Sequence, residues 1–201
     1  EIYTLSLHDA LPISILIPNT VTSLGSNAFD GCSSLASATL PDALIEINYQ
    51  LFRNCTSLTS IAIPRTVNAI STGAFEGCTS LASVTFSDSA SISYGYINSS
   101  AFKGSSSLTT ITIPKGFNYI YSEAFQYCTS LTSVTLGGSL YSIGDQAFGY
   151  CSALTEIHCK RTTPPTLGVN VFLGVSTTIP VYVPCTISDY QASLGWNAFT
   201  N

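Results

Sequence analysis

The stretch Ala74-Phe75-Glu76-Gly77-Cys78-Thr79-Ser80-Leu81-Ala82-Ser83-Val84-Thr85-Phe86 returns almost unchanged as AFDGCSSLASATLP at 28–41 and AFQYCTSLTSVTL at 124–136. Phenylalanine of this unit falls at 29, 52, 75, 102, 125, 148 and, degenerately, 172, in steps of 23, 23, 27, 23, 23 and 24. Self-similarity at so fixed a period is the signature of a solenoid, in which each unit stacks on the next. Three residues after Phe comes Cys32, Cys55, Cys78, Ser105, Cys128 or Cys151, and three further on Leu35, Leu58, Leu81, Leu108, Leu131 or Leu154.

After each Leu the chain alternates, as in Leu58-Thr-Ser-Ile61-Ala-Ile63-Pro64 and Leu108-Thr-Thr-Ile111-Thr-Ile113-Pro114. Period two marks a short strand with one buried face. One such strand per coil cannot cover its own apolar face, so the coils must stack with strands about 4.8 Å apart in a parallel sheet. Phe, Leu and Ile then fill the interior as ladders, and Pro18, Pro41, Pro64 and Pro114 end strands where no ladder N–H is needed. Gly31, Gly77 and Gly104 before the Cys position suggest a tight turn that Asn54 also suits, whereas Tyr127 and Tyr150 in that place argue against a strict need for positive φ.

The cysteine column reads as small apolar packing, reduced and buried, since stacked copies have parallel Cβ vectors and Ser105 shares the column. Cys159 and Cys185 stand outside it, and no zinc-ligand spacing joins them to His158. Beyond Cys159 the period weakens through KRTTPP and IPVYVP to SDYQASLGWNAF, where Ser188 and Gln191 suggest a capping box and Tyr190, Leu194 and Trp196 the apolar face of a lid helix.

These strings and their AF-x-x-C-x-x-L-x-x-I-x-I-P spacing resemble the BspA-like, or treponemal-type, leucine-rich repeats of bacterial surface proteins. The implied fold is a leucine-rich repeat solenoid of the α/β class, mostly short parallel strands with turns and short helical segments, with about seven coils of 23 residues and a C-terminal cap. The resemblance covers the chain from about Ser14 onward and departs at Ser105, at Gly137 in place of Pro, and at a four-residue insertion between Phe86 and Ala101. It implies display at the cell surface or outside the cell and adhesion to host or bacterial proteins, with no catalytic residue to carry over.

Residues 1–13, EIYTLSLHDALPI, match one translated frame of a common DNA-sequencing adapter and are read as an artefact that packs poorly. The organisation expected is therefore repeats over 14–159 and a degenerate last repeat with its cap over 160–201, in a fragment that begins in mid-coil.

Composition narrows function. Only 8% of residues are charged and the net charge is −5, which offers no basic field for nucleic acid. No apolar run of 18 residues is present to span a membrane. Aside from His8 in the adapter-like stretch, His158 is the only histidine, and the acidic residues are scattered along the coils as a solubilising surface. Catalysis, a cofactor and a metal are accordingly not expected.

Binding has two candidate faces. Residues alternating with the buried strand positions form a strip: Ser37 and Thr39, Ser60 and Ala62, Ser83 and Thr85, Thr110 and Thr112, Ser133 and Thr135, Glu156 and His158. A second set is aromatic: Tyr94, Tyr96, Tyr119, Tyr121 and Tyr141, with Tyr94-Gly-Tyr96 read as part of the insertion. Tyrosine supplies contact area with a polar tip, useful against protein or sugar. The expected partner is a protein ligand on a host or bacterial surface, the alternatives being carbohydrate or a spacer role within a larger surface protein.

Overall fold

The computed structural model describes residues 13–87, 94–184 and 187–199. Fourteen strands run in chain order: β1 (Ile13–Leu16), β2 (Leu35–Thr39), β3 (Glu46–Ile47), β4 (Ser60–Ile63), β5 (Ala69–Ile70), β6 (Ser83–Phe86), β7 (Gly95–Ile97), β8 (Thr110–Thr112), β9 (Phe117–Ile120), β10 (Ser133–Leu136), β11 (Ser142–Ile143), β12 (Glu156–Cys159), β13 (Thr166–Leu167) and β14 (Val181–Tyr182). The expectation of one strand per coil is corrected, because typical coils contribute two. Sheet A is eight-stranded, in the order β1-β2-β4-β6-β8-β10-β12-β14, and sheet B is six-stranded, β13-β11-β9-β7-β5-β3. All pairs are parallel. The second sheet escaped the alternation rule because strands of two residues, such as Ala69–Ile70, are too short to show a period.

Prolines make the corner between the sheets. Pro18, Pro41 and Pro64 each follow a strand of sheet A, and their carbonyls accept the N–H of Val21, Leu44 and Val67. At Gly137 the chain runs so near the preceding coil that an added Cβ would lie 2.5 Å from the Pro114 carbonyl oxygen, which explains the departure from proline there.

The third wall, carrying Phe and Cys, is made of turns; the described helices, α1 (Ile187–Ala192) and a 3₁₀ turn at Trp196–Ala198, both belong to the cap. Main-chain donors on this wall alternate in direction. The N–H of Phe52 bonds Ala74 of the next coil and that of Asn54 bonds Glu76, while Cys55 bonds back to Phe52 in its own coil. Presenting N–H groups along the solenoid axis in this way goes with a left-handed residue two before and two after each Phe. The second position is Gly31, Asn54, Gly77, Gly104, Tyr127, Tyr150 and Gly174, every one at φ between 57 and 78. Tyr127 (φ 62) and Tyr150 (φ 60) therefore correct the sequence reading: the turn does require positive φ, and two tyrosines adopt it at a cost of roughly 1–2 kcal/mol each.

Inside, Phe29, Phe52, Phe75, Phe102, Phe125, Phe148 and Phe172 stack face to face with centroids 5.1–5.6 Å apart. The cysteine column beside them does more than pack. Cys55, Cys78, Cys128 and Cys151 donate their thiols to the carbonyls of Phe29, Phe52, Phe102 and Phe125, at 3.0–3.3 Å. Ser105 donates its hydroxyl to Phe75 O at 3.2 Å, so what the column conserves chemically is a small buried donor. Burial pushes the Cys78 and Cys151 thiols up to about 12, which keeps them protonated as donors. Cys159 is also a buried free thiol, while Cys185 lies outside the described residues.

The cap covers the last ring of the ladder. Phe172 meets Trp196 at 5.8 Å and Phe199 edge-on at 5.3 Å. Trp196 Nε1 donates to Pro165 O and the Tyr190 hydroxyl to Arg161 O, each at 2.8 Å, so both polar tips are satisfied on burial. Two details of the expected lid are corrected. Helix α1 starts at Ile187, which places Ser188 inside the helix instead of at its cap, and Leu194 is 88% exposed, its place in the apolar face being taken by Phe199. Of the adapter-like stretch, residues 1–12 lie outside the described residues, and Ile13 opens β1 opposite Leu35.

Candidate binding surfaces

Sheet A presents its strip in register. Ser37, Ser60, Ser83, Thr110, Ser133 and Glu156 pair across successive strands, and in the parallel row Ala62 pairs with Thr85, Thr112 with Thr135, and Thr135 with His158. Ser83, Thr85, Thr110 and Thr112 are exposed and Ser133 and Thr135 half-buried. Short β-favouring side chains on a flat sheet give a smooth hydroxyl surface with little relief. It ends in a feature the sequence reading missed. The His158 ring stacks on Tyr182 of β14 with centroids 4.6 Å apart, and its Nε2 lies 3.4 Å from Glu156 Oε1. A hydrogen bond from Ser133, and then His158, holds the Glu156 carboxyl below its usual range. Tyr182 was hidden because it lies in the aperiodic tail.

Sheet B presents the aromatic set. Tyr96 and Tyr119 pair in register across β7 and β9, and Tyr121 follows two residues later on the same face. The rings form a continuous chain: Tyr96–Tyr121 6.2 Å, Tyr121–Tyr119 6.1 Å and Tyr119–Tyr141 6.2 Å between centroids. Tyr96 belongs to the regular strand β7, which corrects its placement in the insertion; the insertion lies before it, and residues 88–93 are outside the described residues. Burial, and secondarily Glu46, pushes the Tyr96 phenol up. Tyr94, 80% exposed and at φ 65, stands at the rim, outside the ring chain.

At the other end the chain of rings meets a cation. Arg161 Cζ sits 4.3 Å from the Tyr141 ring centroid, a cation–π distance, with Nη1 on Leu140 O at 2.9 Å and Nε on Thr163 Oγ1 at 2.8 Å. Around it opens a cleft of about 450 Å³ lined by Asn118, Ser139, Tyr141, Lys160, Arg161 and Thr163. Sequence reasoning missed Arg161 because KRTTPP breaks the period, and nothing in one sequence says that it folds back over the previous coil.

The scattered acidic residues turn out to fasten coils together. Arg53 forks onto Asp30 at 2.5 and 2.9 Å, Lys103 Nζ meets Glu123 at 2.5 Å, Glu46 accepts from Ser71 Oγ at 2.6 Å and Asp145 from Val169 N at 2.7 Å. Among the described residues no group of three or more His, Cys, Asp or Glu side chains is placed to hold a metal, and no helix is long and apolar enough to cross a membrane.

Comparison with known proteins agrees with this architecture. The model of the BspA type leucine rich repeat region matches residues 8–96 and 89–201, in six copies. A leucine-rich repeat protein of T. pallidum superposes with a TM-score of 0.71 at 31% identity, over 81% of this chain and 76% of that one. A leucine-rich repeat protein from Bacteroides ovatus shares the fold at a TM-score of 0.57 and 24% identity, over 85% of this chain but 55% of its own length. No curated protein matches. With the family pattern matched along nearly its whole length, the chain belongs to the BspA-type leucine-rich repeat family.

Proposed function

We propose that this chain is a non-catalytic, surface-displayed protein-binding module that adheres to proteins of a host or bacterial surface, outside the cell, and that sheet B is its contact face. The observation carrying this reading is the continuous run of Tyr96, Tyr121, Tyr119 and Tyr141 ending on Arg161. Tyrosine and arginine are the residue types that concentrate binding energy at protein interfaces, because they bury large areas while keeping polar tips. Family membership supports an interaction role and, because a repeat solenoid of this kind typically serves as a scaffold, the non-catalytic reading.

The test is binding to a panel of immobilised extracellular-matrix proteins, followed by the triple change of Tyr94, Tyr96 and Tyr121 to Ser. Affinity should fall by about tenfold or more, while circular dichroism and melting stay near wild type. Retention of affinity within about twofold, the fold intact, contradicts the assignment of the face. Capture of a glycan and of no protein would favour the carbohydrate alternative, and inertness to both a spacer.

A further inference from the structure

The cleft beside Tyr141 is a place where this acidic chain gathers positive charge. Of six Lys and Arg residues in a chain of net charge −5, Lys160 and Arg161 stand side by side on it. Arg53 and Lys103 are neutralised by Asp30 and Glu123 where they fasten coils. None of the residues lining the cleft is acidic, and among the described residues neither Lys160 nor Arg161 has a carboxylate within ion-pair distance. Two uncompensated cations around one hollow attract an anion locally, against the sign of the whole molecule.

Its cations are also held in place. Arg161 is fixed at three points: Nη1 donates to Leu140 O, Nε donates to Thr163 Oγ1, and Cζ lies 4.3 Å over the Tyr141 ring. A guanidinium carries five N–H groups and two are used, so three keep no partner among the described residues, on a fork already ordered. A ligand there has little left to immobilise. Thr163, which accepts at Oγ1, retains a hydroxyl hydrogen to donate. The Lys160 backbone is pinned by its N–H on Leu136 O at 2.9 Å, and Gly138 packs so near that a Cβ there would lie 3.3 Å from Lys160 O. Buried Asn118, another lining residue, donates Nδ2 to Ser139 O at 2.9 Å. At about 450 Å³ the cleft falls within the size of ligand sites, about 300–1,000 Å³.

We propose that this cleft takes the carboxylate of an Asp or Glu side chain of the protein partner, forked by Arg161 and reached by Lys160, while apolar residues of the same segment lie along the sheet B tyrosines. The proposal rests on sheet B as the contact face, since the rings of Tyr96, Tyr121, Tyr119 and Tyr141 run without a gap onto Arg161. A planar guanidinium matches a carboxylate through two parallel hydrogen bonds. From Tyr96 on β7 to Arg161 in the coil of β13 is three strand intervals, about 14 Å. An extended segment rises about 3.3 Å per residue, so its acid and its far apolar anchor stand about four positions apart. The partner chemistry is therefore an acidic residue with an aromatic or large aliphatic one about four residues away.

Titration calorimetry with a matched pair of end-blocked heptapeptides tests it, both carrying Phe at the first and third positions and Ser, Thr or Gly elsewhere, one ending in Glu and the other in Gln. The Glu peptide should bind with Kd of about 1 mM or tighter, and about fivefold or more tighter than the Gln peptide, in about 0.05 M salt. That advantage should shrink to about twofold or less in about 0.5 M salt. Lys160→Gln alters an exposed side chain with no ion-pair partner, so the melting temperature should hold while the advantage falls by about half or more and the Gln peptide binds as before. Adding Arg161→Gln should remove the advantage altogether. The triple change at Tyr94, Tyr96 and Tyr121 should weaken both peptides alike and keep their ratio, so failure of the ring face and failure of the cleft read differently. Equal binding of the two peptides, an advantage that survives both cleft variants, or binding of neither peptide overturns the proposal. So does a heparin hexasaccharide that binds through Lys160 and Arg161 more than about tenfold tighter than the Glu peptide, which would give the cleft to an acidic glycan.

Discussion

Sheets A and B bury the same kind of residue and expose opposite kinds. Inward, Ile61, Ile111 and Val134 of sheet A and Ile70, Ile97 and Ile120 of sheet B are all buried aliphatics. Outward, sheet A offers Ser83, Thr110 and Ser133 in a flat file, and sheet B offers Tyr96, Tyr119, Tyr121 and Tyr141 in a chain of rings. The inner faces must repeat because each coil packs on a copy of itself, so any change there is felt by two neighbours. The outer faces are under no such demand. Departure from the period on an outer face is therefore the informative signal, and sheet B, with the third-wall tyrosines, departs most.

The contrast is broken most severely from inside. Phe102 lies fully buried between Phe75 and Phe125, 5.1 Å from each. Phe102→Ala should cost about 3–5 kcal/mol in urea denaturation, by lost burial and a cavity that the rigid stack cannot close. Tyr119→Ala on the outer face of sheet B should cost under about 1 kcal/mol. Similar losses at the two sites would mean that the tyrosines are structural.

A smaller effect separates packing from hydrogen bonding within the core. Cys78→Ala removes the donor to Phe52 O and should destabilise by about 1–3 kcal/mol, whereas Cys78→Ser, which reproduces the arrangement at Ser105, should stay within about 1 kcal/mol. Equal stability of Ala and Ser would return the column to simple apolar packing.

The smallest effect concerns the charge fasteners. The Arg53 hydrogen bond holds the Asp30 carboxyl below its usual range. A carboxyl with a depressed folded pKa adds stability that is present above its unfolded pKa, about 3.9, and lost as pH falls through the lower folded value. Asp30→Asn should therefore lower the melting temperature slightly at pH 7, and the gap should shrink progressively in melts taken at pH values below the unfolded pKa of about 3.9. A gap that widens with acid would give the pair the wrong sign.

Where the sequence was legible follows from the same division. The Phe, Leu and Ile columns were readable because burial forces identity at a fixed step, as at Phe52 and Phe75. The cysteine column was located but its chemistry understated, since a thiol's donor role depends on a carbonyl one coil away. The left-handed turn was misjudged at Tyr127 and Tyr150, because tyrosine carries no visible preference for positive φ. On sheet B the tyrosines were visible in the sequence, but their contiguity, and Arg161 over Tyr141, depend on register and on a tail with no period.

Tyrosines on three walls allow the central claim to be read directly by hydroxyl-radical footprinting, free and bound to the tightest protein partner from the matrix panel. Tyr96, Tyr119, Tyr121 and Tyr141 should each lose reactivity on binding by about the severalfold expected of residues at the buried centre of an interface, while Tyr182 on sheet A and Tyr127 on the third wall stay unchanged. Protection of Tyr182 and His158 with the sheet B rings still reactive would contradict the account.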